Sequence, residues 1–205
     1  MIDQKKNNIF SKVDFDVENY KSRNNKLFGF WIYLMSDCIM FAVLFAVYAI
    51  ISSSISIDLI SSKIFNLHSI LLETFLLLLS SLSCGFIIIS MNKKNIKMIY
   101  SCLIITFCLG FIFLFMEINE FYELIKKCFG PDQNAFFSIF FTLVGTHGIH
   151  IFFGLIFILS IIYQIKILGL TNSVCTRILC FSLFWHFLDI IWICVFTLVY
   201  LNGVL

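Results

Sequence analysis

FFSIFFTLVGTHGIHIFFGLIFILSIIYQ, residues 136–164, contains no Lys, Arg, Asp or Glu, and apart from its terminal Gln164 its polar residues are hydroxyls and two histidines. An α-helix rises about 1.5 Å per residue, so about 20 apolar residues cross a hydrocarbon layer of about 30 Å. The stretch reads as a transmembrane helix. Four further runs have the same character: Leu27–Ile51, Leu67–Ser90, Ile99–Tyr122 and Ile178–Leu201. Each is long enough to span, each is bounded by polar residues, and none carries Lys or Arg.

Composition agrees. The chain has 205 residues, 60% of them hydrophobic and 13% charged, with 26 Phe and a mean hydropathy of +1.00. Soluble domains carry about 25% charged residues, so a water-soluble globule is excluded. The expected fold is all-α, a bundle of five transmembrane helices over residues 27–205. It is preceded by a polar, flexible cytoplasmic tail, residues 1–26, that lacks the apolar core of a signal peptide. The four connections, Ser52–Asn66, Met91–Met98, Glu123–Ala135 and Ile165–Arg177, are short, which favours antiparallel neighbours. Nothing is left over for a soluble catalytic domain, and no phosphate loop, nucleophile elbow or nucleic-acid-binding stripe occurs.

Orientation follows from the basic residues. The tail, the connection with Lys93, Lys94 and Lys97, and the connection with Lys166 and Arg177 hold eleven; the other side holds three, Lys63, Lys126 and Lys127. The amino terminus is therefore expected in the cytoplasm and the carboxyl terminus in the periplasm. The eight cysteines form no CxxC pair. Cys38, Cys84, Cys102, Cys108, Cys180 and Cys194 lie in apolar runs and read as small buried hydrophobes. Trp31 and Tyr200, near span ends, read as interfacial anchors.

An ionisable group in a span costs about 2.5 to 3.5 kcal/mol on insertion scales. Five acids have that position: Asp37, Glu73, Glu117, Glu120 and Asp189. With no Lys or Arg in the spans, their partners are His147, His150, His186, hydroxyls such as Ser36 and Thr74, water, headgroups or another subunit. Glu117 and Glu120, His147 and His150, and His186 and Asp189 each stand three residues apart, on one helix face. Two readings compete. In one, two His and two Glu make a di-iron cluster, or two His on different helices ligate a haem, in a stand-alone membrane protein. In the other, the pairs are interhelical hydrogen-bonding glue. The paired Glu-x-x-His motif of di-iron bundles is absent, which favours the second. Gly145, Gly148 and Gly154 read as a narrow face of the fourth span on which a neighbour closes. A transporter built on these acids is disfavoured by unbroken runs and the lack of an inverted repeat.

Five segments together resemble subunit III of the haem-copper respiratory oxidases: FGFWIYLMSDCIMF (Phe28–Phe41), LETFLLLLSS (Leu72–Ser81), MEINEF (Met116–Phe121), GTHGIH (Gly145–His150) and WHFLDIIW (Trp185–Trp192). The likeness is nearest to the bo-type (cytochrome o) ubiquinol oxidase branch and runs from about Leu27 to the end. Longer relatives have seven spans; five is the pattern of the quinol-oxidase branch.

The resemblance implies a non-catalytic subunit of a proton-pumping oxidase that oxidises ubiquinol and reduces dioxygen to water in a bacterial inner membrane. It implies no cofactor in this chain; haem b, haem o, copper and ubiquinol belong to subunit I. Subunits I, II and IV and phospholipid are the implied partners. Asp37 matches a membrane carboxyl that is Glu in mitochondrial relatives and reacts there with carbodiimide; here it is one methylene shorter. Glu120, His147, His150, His186 and Asp189 match polar positions of the family, whereas Glu117 departs from some relatives. With Glu73 they are expected to be structural or lipid-contact positions, without a catalytic or metal site.

Overall fold

In lipid, backbone N–H and C=O groups have no water to bond, so an apolar run satisfies them internally as helix. The computed structural model describes residues 2–54, 67–93, 95–127, 130 and 134–201, with side chains described at 21–52, 68–91, 93, 95–127, 130 and 134–200. Five helices result: α1 Ile2–Ser54, α2 Leu67–Asn92, α3 Ile96–Lys126, α4 Ala135–Leu168 and α5 Asn172–Val195, the last continued by a wider π-helical turn, Phe196–Leu201. The parts long and apolar enough to cross a membrane are Lys21–Ser52, His68–Met91, Ile96–Lys126, Ala135–Leu168 and Asn172–Tyr200.

The helices overrun the apolar runs at their ends. Residues 2–26, expected as a flexible tail, continue α1 as helix. The largest internal shift is at α5, which starts at Asn172 instead of Ile178. Gly169, at φ +64°, ends α4 where a Cβ would be strained, and the Thr171 hydroxyl accepts the Val174 N–H at 3.5 Å to open α5. Polar residues such as Arg177 then sit in the first turns of a helix, and Arg177 hydrogen-bonds the side chain of Gln164 on α4. The earlier start moves His186 to the centre of the 29-residue span Asn172–Tyr200.

Around the bundle the helices touch in the order α1, α4, α3, α2, α5, and α5 also packs on α1 and α4. Over half of the most apolar window of α5, 56%, is buried, against 17% for α1. The core is therefore built around α5, and Trp185 is its centre. A Cβ placed on Gly110 of α3 or on Gly154 of α4 would come within 2.9 Å of the Trp185 ring; the two glycines clamp the indole from either side. Its Nε1–H donates to the Ser80 hydroxyl of α2 at 3.0 Å. Two turns along, the Trp192 indole donates to Thr74 of α2 at 3.2 Å. Higher residue numbers on α5 meet lower ones on α2, as antiparallel helices require.

Three expectations are corrected. Gly145, Gly148 and Gly154 do not share one close-packed face: Gly154 meets Trp185, Gly148 meets the Glu117 carboxyl, and Gly145 has only an ordinary contact with Phe121. Six residues turn a helix through about 600°, so Gly154 cannot face the helix that Gly148 faces. Of the six cysteines read as buried, only Cys84 and Cys102 are; Cys38 and Cys108 are exposed and Cys180 and Cys194 intermediate. A small thiol is tolerated against lipid as well as in a core. Trp31 is exposed as an anchor should be, but Tyr200 is fully buried, because the π-helical turn carries it back over α3 and α4.

Candidate functional site

The eight polar positions fall into three places. Asp37 and His150 meet at the middle of their spans, joining α1 to α4 with Nε2 to Oδ2 at 3.8 Å. The His150 Nδ1 lies 2.7 Å from the Thr146 carbonyl oxygen; a carbonyl only accepts, so Nδ1 carries the proton and Nε2 is the nitrogen turned to Asp37. The Phe41 ring packs on the imidazole at 5.3 Å between centroids.

The second place is also at mid-depth, between α2 and α5. The Ser81 hydroxyl and His186 Nδ1 are 2.8 Å apart, and Nδ1 is 3.9 Å from Asp189 Oδ2. Asp189 is buried behind the ring, while 42% of the His186 side chain is exposed. The i, i+3 spacing did place this pair on one face.

The third lies toward the end of the bundle that holds the α3–α4 connection. Glu73 of α2 and Glu117 of α3 are buried, and Glu117 is within electrostatic range of Glu73 and of Glu120. The Tyr200 hydroxyl donates to Glu120 at 3.3 Å. A cleft of about 190 Å³ opens here, lined by Ser69, Glu73, Asn119, Glu120 and, at its rim, Glu123 and Lys127; those two charges pair at 4.0 Å. Among the described residues both Glu117 oxygens, Glu73 Oε2 and both His147 nitrogens lack a hydrogen-bond partner, as do Ser182 Oγ, Asp37 Oδ2 and both Asp189 oxygens elsewhere. His147 sits between the rings of Phe113 and Trp192, at 6.1 and 5.2 Å.

The histidines at 147 and 150 thus face different helices, α3 with α5 in one case and α1 in the other. The eight positions are dispersed, and among the described residues no three His, Cys, Asp or Glu side chains come together as metal ligands. Three contacts reach across to another element: His150 to Asp37, His186 to Ser81 and Glu120 to Tyr200. Sequence reasoning missed two joints between α5 and α2, the donors Trp185 and Trp192 with their acceptors Ser80 and Thr74. A signal was there: two tryptophans seven residues apart on one span, and hydroxyls six apart on another.

Residues 15–204 match the family described as cytochrome c oxidase subunit III. Over 203 residues, 99% of each chain, the sequence is 75% identical to the cytochrome bo(3) ubiquinol oxidase subunit 3 of Buchnera aphidicola subsp. Acyrthosiphon pisum. It is 48% identical to the protein of that name in Pseudomonas aeruginosa, over 91% of this chain and 89% of the relative. To the quinol oxidase subunit 3 of Bacillus subtilis the identity is 38%, over 90% and 91%.

Proposed function

This chain belongs to the cytochrome c oxidase subunit III family, and on that premise we propose that it is the non-catalytic third subunit of a bacterial cytochrome bo-type ubiquinol oxidase. It is a multi-pass protein of the bacterial inner membrane. The observation that carries the reading is the 75% identity over 99% of both chains to a subunit of that name. The contacts Asp37–His150 and Ser81–His186, each between two helices, support it as the joints of a scaffold.

In this reading haem b, haem o, copper and the ubiquinol site lie in subunit I, subunits II and IV complete the complex, and this chain buttresses subunit I. The polar positions Asp37, Glu73, Glu117, Glu120, His147, His150, His186 and Asp189 act in structure and lipid contact. Phospholipid headgroups are assigned to the cleft beside Glu73 and Glu120, which opens at a bundle end, where headgroups lie. The end rich in Lys and Arg faces the cytoplasm and the cleft faces the periplasm, as eleven basic residues against three favour.

The test is affinity purification of the tagged chain from mildly solubilised membranes, followed by a visible spectrum. Larger subunits with haem b and haem o signals are expected. A chain recovered alone, and coloured, would overturn the proposal, as would loss of a haem signal on substituting His147, His150 or His186.

A further inference from the structure

α5 is walled in by α1, α2 and α4, yet one narrow stripe of it reaches the bundle surface: Leu183, His186, Ile190 and Ile193. Their spacing is three, four, three, the a/d repeat by which one helix seats another. Beside the stripe, on α2, Phe75, Leu78 and Leu82 are exposed at three-and-four spacing. The Ser81–His186 hydrogen bond sets the two stripes level. α1 and α2 therefore flank a groove whose floor is α5, with a histidine at the centre of the membrane in that floor.

That histidine is held from one side only. Nδ1 is fixed by Ser81 at 2.8 Å, with the Asp189 carboxyl behind it at 3.9 Å. The ring is thereby turned so that Nε2 points away from α2, and no hydrogen bond to Nε2 occurs among the described residues. Other hydroxyls exposed at depth, Ser83, Thr142 and Thr197, bond their own helix backbone and need nothing from outside. Acyl chains offer Nε2 no partner, and headgroups lie about 15 Å away along the normal. A helix with a polar side chain at the matching level satisfies both the seam and the nitrogen; in such seams a single polar position fixes register.

We propose that the α2–α5 groove is the docking surface for a transmembrane helix of another oxidase subunit, which presents a hydrogen-bonding side chain to His186 Nε2. The inference rests on the reading of the preceding subsection.

The test places a photo-crosslinker in the groove of the assembled oxidase, Ile190→p-benzoylphenylalanine, with Phe153→p-benzoylphenylalanine on the outer face of α4 as comparison. The adduct from position 190 is expected on a different polypeptide of the complex. Adducts with lipid alone, or with a second copy of this chain, overturn the inference. In parallel, His186→Leu should lower the yield of co-purifying subunits about 3-fold to 20-fold, the worth of one hydrogen bond between helices in a membrane, and His186→Asn should restore part of it. Unchanged yield in His186→Leu overturns the role of the histidine. Failure of the wild-type chain to co-purify with any haem-bearing subunit would instead sink the reading of the protein as an oxidase subunit.

Discussion

Trp185 and Trp192 are the same device at two depths: an indole on α5 donating to a hydroxyl on α2. Their surroundings differ. Trp185 is closed in by Gly110, Gly154 and Phe181, so its level is tight and its indole nitrogen is satisfied. Trp192 packs on Phe113 at 4.7 Å and on His147, at a level where Glu117, Glu73 and His147 keep unpartnered polar atoms. The first level is held by two glycines that let the indole lie directly against the backbones of α3 and α4. The second is equally buried but is closed by rings, one hydroxyl bond and Gly148 against the Glu117 carboxyl. The middle of the bundle is thus packed by glycine against indole, and the cleft end by rings and carboxyls.

Breaking the tight level should cost most. Trp185→Ala removes a large fully buried ring and its hydrogen bond; a loss of about 3–5 kcal/mol is expected, read as a fall in the thermal unfolding temperature of the purified complex. Equal tolerance of Trp185→Ala and Trp192→Ala would erase the contrast between the levels. Next come Gly154→Ala and Gly110→Ala, each of which forces a methyl to within 2.9 Å of a flat ring that cannot bend away. About 1–3 kcal/mol is expected. Gly85→Ala, with nothing within 4 Å of the added Cβ, should cost nothing and serves as the control in the same unfolding assay.

The smaller effects sharpen the other side. Asp189→Ala leaves His186 without its carboxyl and is expected to cost about 1 kcal/mol, with Asp189→Asn milder; an unchanged unfolding temperature would argue against the pair as a joint between helices. Thr74→Val removes the acceptor of Trp192 at constant shape, for about 0.6 kcal/mol. Smallest is Glu117→Met, which keeps length and removes the carboxyl. Because both oxygens lack partners among the described residues, stability should hold or rise, as measured by unfolding in detergent. A clear loss would mean that water or a neighbouring subunit bonds this carboxyl in the complex.

The spans were legible from length and apolarity, and the antiparallel order from short connections. The helix ends were less so, because polar first turns such as Asn172–Arg177 are indistinguishable by hydropathy from loop. Within the site, the spacing of His186 and Asp189 correctly put them together. That of His147 and His150 misled, because it fixes a shared side of a helix but not the neighbour that side meets. Three residues leave two side chains about 60° apart around the axis, enough at a junction of several helices to send one to α3 and α5 and the other to α1.

What this sequence determines by itself is therefore what depends on a single segment in its solvent: five helices, because apolar runs in lipid must close their own hydrogen bonds, and a charge asymmetry, because Lys and Arg stay outside the hydrocarbon layer. What only the tertiary structure decides is the meeting of faces. Glycines from two helices clamp Trp185, Tyr200 folds back to Glu120, Glu73 joins the acids of another helix, and one histidine is left turned outward. Each depends on the rotation of helices relative to one another, which is set by the packing of the whole bundle and by no residue spacing within a span.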